Sequence, residues 1–206
     1  MRIFVFLFSF WFLFSSLQVP GKVNYDEPLV DFLLEYLGIK YNKIQFNKFI
    51  YVAVKRQRLY LIENGQIVQT FDVSTSKKGI GSGTGTNCTP AGLHEIADKA
   101  GEGLPLNSVL KNKIPTGENA QIEMSSVSTG LDLITTRILH LRGLENNVNA
   151  GPGKDSFERG IFIHGTHEEG LLGTAASKGC VRMANEEVIE LFNSVEVGTF
   201  VVILNN

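Results

Sequence analysis

The stretch from Phe49 to Ser76, FIYVAVKRQRLYLIENGQIVQTFDVSTS, constrains the fold more than any other part of the chain. It holds two strand-like runs separated by Glu63-Asn64-Gly65. Asn-Gly between apolar runs is the strongest short hairpin signal, because both central residues of the tight turn need positive φ. More strand candidates follow at Ala91–Ile96, Leu133–Leu141, Gly160–His164 and Phe200–Leu204, each β-branched or apolar and bounded by turn residues. Only two helices suggest themselves. Asp26–Leu37 has Asp26 as cap, Pro28 in the first turn, Gly38 as stop and an apolar face of Leu29, Phe32, Leu33, Tyr36 and Leu37. Asn185–Phe192 has Asn185 as cap, Glu186 and Glu187 at the positive end, and Val188, Leu191 and Phe192 facing inward. The expectation is a mainly β chain (β-rich α+β), a curved sheet or sandwich with few helices and with long connections that carry function.

The first segment is set apart from the fold. Arg2 precedes an apolar run from Ile3 to Phe14, followed by small and polar residues. That is the layout of a secretory signal, too short for a full membrane span of ~20 residues. The organisation expected is residues 1–21 as signal peptide or N-terminal anchor, 22–48 as a short helical segment and 49–206 as the main domain. The destination is the periplasm or cell envelope, with membrane contact through the N-terminal segment. The formal charge of −2 offers no basic stripe, which argues against nucleic acid as a partner. Gly79–Thr89, GIGSGTGTNCT, lacks the Gly-Lys-Ser/Thr ending of a phosphate loop and reads as a flexible connection.

There are two cysteines, Cys88 and Cys180. In an exported chain they invite a disulfide, and if they pair no thiol remains for chemistry. Cys180 lies sixteen positions after His164 in HGTHEEGLLGTAASKGCVRM. A nucleophilic cysteine needs thiolate character, a base within reach and donors for an oxyanion. His164, ending a buried strand, supplies a base. The turn Ser177-Lys178-Gly179-Cys180 supplies backbone N–H groups, and Gly179 allows close approach of a substrate. Arg182 and Lys178 add positive charge that favours a thiolate and an anionic substrate. Taken alone, a cysteine and a distant histidine are more often packing than catalysis. His167 reads as a loop residue, and His94 and His140 as strand residues with local partners. Arg182 is divided between a substrate carboxylate and a structural ion pair, and Ser177 between the substrate site and fixing the turn. Zinc is a weak reading, because Cys180 has no second ligand at short spacing.

The wording of the motif shifts this balance. Ile163-His164-Gly165-Thr166, Gly173, and Ser177-x-Gly179-Cys180-Val181-Arg182-Met183-x-Asn185 resemble the signature of the L,D-transpeptidase catalytic-domain family, cysteine enzymes of bacterial peptidoglycan. Leu59-Tyr60-Leu61-x-x-Asn64-Gly65, Thr89-Pro90-Ala91-Gly92, Thr136-Arg137-Ile138-Leu139 and Gly143-Leu144-Glu145 resemble its earlier elements in the same order. The resemblance implies Cys180 as nucleophile, His164 as general base and the Gly165 carbonyl as the group that orients the imidazole. Ser177, Gly179 and Arg182 are the candidate substrate-binding residues. Lys178 departs from the family, which often has His there. The implied reaction needs no cofactor. Cys180 takes the acyl group of a peptidoglycan stem tetrapeptide as a thioester, releases D-Ala, and passes the acyl group to an amine acceptor, a stem peptide or a wall-anchored protein. The alternatives are hydrolysis of the same bond, as an L,D-carboxypeptidase or endopeptidase, and a non-catalytic wall-binding domain.

Overall fold

A computed structural model describes residues 27–206. The N-terminal signal or anchor and the expected Asp26 cap lie outside the described residues. Helix α1 (Glu27–Lys40) leads into strands β1 (Lys48–Ala53), β2 (Arg58–Glu63), β3 (Gln66–Asp72), β4 (Gly92–Ala100), β5 (Ser108–Lys111), β6 (Ile114–Asn119), β7 (Ile134–Gly143), β8 (Phe162–Thr166) and β9 (Val181–Met183). Helix α2 (Asn185–Ser194) and strand β10 (Phe200–Leu204) close the chain. The strands form one mixed sheet in the order β3-β2-β1-β10-β4-β7-β5-β6, with β8 paired to β7 and β9 to β8. The β-rich fold with few helices is as expected.

The sheet is covered on both faces. β1 lies between β2 and the C-terminal β10, parallel to the latter, and is buried from Phe49 to Ala53. Its alternate side chains serve two cores. Phe49, Tyr51 and Ala53 pack with Val30, Leu33 and Leu37 of α1 and with Val202. Ile50 and Val52 pack with Val201, Ile203 and Leu61, and with Val188, Leu191 and Phe192 of α2. Ile161, Ile163, Val181 and Met183 join this second core. Truncating one such buried side chain to alanine typically costs about 2–5 kcal/mol.

Several local expectations need correction. The inward stripe of α1 is Val30, Leu33 and Leu37, a helical spacing, and Phe32 is exposed. α1 passes through Gly38 to Lys40, where Lys40 and Tyr41 bind the carboxylate of Glu145 at 3.1 and 2.7 Å. Asn64 and Gly65 turn the β2–β3 hairpin with φ of 51° and 76°. The run before them is two strands, β1 and β2, because the chain reverses at Val54–Gln57. Buried Gln57 takes φ of 51° there, its side-chain amide donating to Val54 O and to Thr75 Oγ1 and its Oε1 accepting from Thr75 N–H. The loop 79–89 is tied rather than free: Gly81 N–H donates to Thr89 O, Thr89 N–H to Gly79 O and Thr84 N–H to Gly153 O.

Candidate active site

Strands β8 and β9 run parallel with His164 opposite Arg182. Ile161, Ile163, Val181 and Met183 point into the core. The alternate residues Phe162, His164, Cys180 and Arg182 therefore share the other face. Cys180 comes immediately before β9, and its sulfur meets the backbone on either side of Ile161. Phe162 N–H donates to Sγ at 3.4 Å and Sγ approaches Gly160 O at 3.4 Å. Cys88 and Cys180 are both free thiols, with no disulfide between them.

His164 is buried, and its Nδ1 lies 2.8 Å from Gly165 O. A carbonyl only accepts, so Nδ1 carries the proton and Nε2 keeps its lone pair. Among the described residues no carboxylate hydrogen-bonds to the ring. Glycine at 165 has a steric cause: a Cβ there would stand 2.7 Å from both Thr135 O and Asn185 Oδ1. β7 approaches this closely because it bulges between Thr135 and Ile138, the partners of Gly165 and His164, with Thr136 at a φ of 65° that β-branched residues rarely adopt. Asn185 holds the bulge. Its Oδ1 accepts from the hydroxyls of Thr135 and Thr136, and its Nδ2 donates to Thr166 O and Glu169 Oε1, both at 2.7 Å. Asn185 is thus not the helix cap; the Glu169 carboxylate caps α2 by accepting from Asn185 N–H at 2.9 Å.

The turn before Cys180 is held by its own groups. Ser177 is buried; its hydroxyl donates to Cys180 O at 2.6 Å and accepts from Gly179 N–H at 3.2 Å. Both hydroxyl roles are filled inside the turn, so Ser177 is a clamp rather than an open substrate contact. The Gly179 N–H is occupied too. Gly179 has φ of 130°, and a Cβ there would meet Cys88 O at 3.3 Å, so its smallness admits the neighbouring loop as well as leaving the turn open. Thr89, from the Thr-Pro-x-Gly element, donates its hydroxyl to Gly179 O at 2.9 Å. Arg182 is buried, with Nη1 2.8 Å from Glu168 and Nη2 bonded to Asp132. Of its two readings, the ion pair is the one realised.

Glu168 and Asp132 were not legible as site residues. Glu168 is buried and also accepts from Ser128 Oγ, Thr129 N–H and Thr129 Oγ1, tying the segment before β7 to the end of β8. Asp132 reaches from Arg182 to Lys178, 4.0 Å away, across the cysteine turn. His167 stands beyond β8, with Nε2 2.9 Å from Thr129 Oγ1. His94 and His140 sit on strands with local partners: His94 between Gly92 O and Ser156 Oγ, and His140 against Phe157.

Burial sets the protonation of the pair. It pushes the Cys180 thiol up to about 11, and the charge of Asp132 adds to the rise. Arg182 and Arg159 pull the thiol down, the direction expected of positive neighbours, but burial outweighs them. Burial lowers His164 to about 4, against the hydrogen bond to Gly165. Both shifts favour the neutral forms, thiol and imidazole, near neutrality. Among the described residues no group of three or more His, Cys, Asp or Glu side chains is placed to hold a metal ion.

The sequence profile of the YkuD family, the L,D-transpeptidase catalytic domain, matches residues 47–203. The Bacillus subtilis (strain 168) proteins YqjB and YkuD are 48% identical over 44 residues and 54% identical over 41 residues. These alignments take in 21% and 20% of this chain and 25% of each relative, so the chain spans about a quarter of the length of the curated relatives it matches. Among solved structures, an L,D-transpeptidase from Xylanimonas cellulosilytica DSM 15894 (residues 123–326) is similar at 17% identity over 83% of this chain and 69% of that one, with a TM-score of 0.48. L,D-transpeptidase 3 from Mycobacterium tuberculosis, in complex with a faropenem-derived adduct, is similar at 13% identity over 77% of this chain and 60% of that one, with a TM-score of 0.47. With the profile running through the hairpin, the His164 strand and the Cys180 turn, this chain belongs to the L,D-transpeptidase catalytic domain family.

Proposed function

We propose that the chain is an exported cysteine acyltransferase acting on peptidoglycan stem peptides, with Cys180 as nucleophile and His164 as general base. One observation carries this reading. His164 on β8 and Cys180, immediately before the neighbouring β9, lie on one face, and the hydrogen bond from Nδ1 to Gly165 O leaves the other ring nitrogen as a base.

The reaction divides an amide exchange into two steps. His164 Nε2 takes the Cys180 proton as sulfur bonds to the carbonyl carbon of the L,D amide. Both groups are neutral at rest, so proton transfer accompanies attack. The oxyanion meets backbone donors of the cysteine turn; Gly179 N–H is given to Ser177, which leaves the Cys180 N–H as the first candidate. The C–N bond breaks, the imidazolium protonates the departing nitrogen, and D-Ala leaves. An amine acceptor then attacks the thioester carbon and loses its proton to His164. The C–S bond breaks and Cys180 regains a proton.

Intact mass after incubation with a stem tetrapeptide tests the reading. The expected adduct adds the mass of the tetrapeptide less one D-Ala molecule, maps to Cys180 and is absent from Cys180→Ala. Label on Cys88, or none on the folded and reduced protein, defeats the assignment. The Ile3–Phe14 run supports export. A reporter active only in the cytoplasm, fused after Asn206, stays silent if that is right, and a bright signal refutes it.

A further inference from the structure

Behind the cysteine turn is a cavity of about 280 Å³ lined by Arg159, Lys178, Ile161, Asn87, Thr84 and Glu158 among others. Two of its lining residues belong to the chain segments that hold the sulfur, and Arg159 is close enough to Cys180 for their charges to interact. Lys178 is two residues before Cys180, and Ile161 lies between the two backbone groups that touch Sγ. Arg159 is half-buried and spends two N–H groups on carbonyls, Nη1 on Gly81 O at 3.3 Å and Nη2 on Cys88 O at 2.7 Å. A guanidinium has five N–H donors, so three remain. None of the ion pairs among the described residues involves Arg159. Lys178 has only a long contact to Asp132, at 4.0 Å. Glu158, the acid at this cavity, is exposed and pairs with neither cation.

A half-buried charge without a counter-charge is costly to hold. Burial draws the Arg159 pKa below the usual guanidinium range, and the nearby sulfurs of Cys88 and Cys180 act the other way. The site is thus prepared for an anion beside the nucleophile. The planar fork of arginine fits a carboxylate with two hydrogen bonds, and Lys178 adds a point charge at the rim. Lys178 is also where this chain departs from the histidine common in its family, and the cavity gives that departure a use.

We infer that Arg159 and Lys178 form a subsite for a carboxylate of the acyl-donor peptide. The inference rests on the proposed acyl transfer for the identity of the ligand. Two carboxylates flanking the scissile bond of a stem peptide share this chemistry: the terminal one, on the departing D-residue, and the side-chain one, on a diamino-dicarboxylic third residue. Both anchor the donor next to Cys180.

Binding is measured with the full chain carrying Cys180→Ala, so that chemistry does not enter. Three tetrapeptides are compared: one with both carboxylates, one amidated at the C terminus, and one with lysine as third residue. Removal of the recognised carboxylate is expected to weaken binding by about 10-fold, the scale of a charge-assisted hydrogen bond. Which peptide loses affinity identifies the source. In Arg159→Gln the preference disappears, Arg159→Lys restores part of it, and Lys178→Ala reduces it. If Arg159→Gln weakens all three peptides equally, Arg159 only braces the loop at Gly81 and Cys88, and the inference is wrong. It is equally overturned if no peptide binds at millimolar concentration, or if neither carboxylate matters. Adduct formation by the unaltered protein separates this from the catalytic reading. Carboxylate preference without an adduct removes the acyl transfer and leaves the subsite, whereas an adduct without preference removes the subsite alone.

Discussion

At the scale of single residues, the site depends on one hydrogen bond that needs no acidic partner. His164 is oriented by the carbonyl of its own neighbour, and Gly165 is required because Thr135 and Asn185 leave no room for a Cβ. His167, three residues on, is turned to Thr129. His164→Gln is therefore expected to slow acylation of Cys180 by about 10²–10⁴-fold, the usual cost of a lost general base. His167→Ala should change it by much less. Stopped-flow acylation rates on folded variants compare the two directly, and a large loss at His167 alone would mean that the base has been misnamed. Cys180, His164 and Gly165, the proposed nucleophile, base and orienting carbonyl, stood out as candidates because they come from two short segments with a recognisable spacing. The internal use of Ser177 and Arg182 was not. The partners of Arg182, Asp132 and Glu168, come from elsewhere in the chain and carry no motif, and a serine clamp looks the same in sequence as a serine ligand.

At the scale of elements, Asn185 acts as a rivet. It joins the bulged β7 to the end of β8 and to Glu169, and the bulge stands opposite His164. Replacing it with alanine strands two buried threonine hydroxyls and a buried carbonyl, and takes one donor from the half-buried carboxylate of Glu169. Each unmet group costs about 1–3 kcal/mol. Some will find new partners, so Asn185→Ala is expected to lose about 3 kcal/mol of stability by urea unfolding. Relaxation of the bulge should also slow acylation, although Asn185 touches neither sulfur nor imidazole in any hydrogen bond. Full stability in Asn185→Ala would show that the bulge holds itself. Strands with continuous apolar or β-branched runs, such as β7 and β10, could be read from the chain. The β5–β6 hairpin could not, since β6 is exposed throughout and carries Pro115 and Gly117. The reversal at Gln57 was hidden for another reason: its positive φ is held by side-chain bonds to Val54 and Thr75 rather than by a glycine or asparagine.

At the scale of the whole molecule, the histidines make folding sensitive to acid. Burial lowers both His94 and His164 from 6.5 to about 4, and it lowers His140 and His167 as well. Between those limits the unfolded chain binds protons that the folded protein refuses, so stability rises with pH. The full contribution is present above 6.5 and is lost as pH falls toward 4. For a shift of this size, each of the two most affected histidines costs about 2 kcal/mol at about pH 5 relative to neutrality. Asp98, Glu145 and Glu168, whose carboxylates are held below their ordinary range, add to the loss at lower pH; Glu187, raised by burial, opposes it. His94 separates this effect from the active site, because it lies between Gly92 and Ser156 on β4 and takes no part in the proposed chemistry. His94→Gln keeps a polar group there without a titrating proton. Urea unfolding at pH 7 and pH 5 should show a smaller acid penalty in His94→Gln than in the unaltered chain, by about 2 kcal/mol. An identical penalty in both would mean that His94 is protonated in the folded protein, and that the acid sensitivity belongs to other groups.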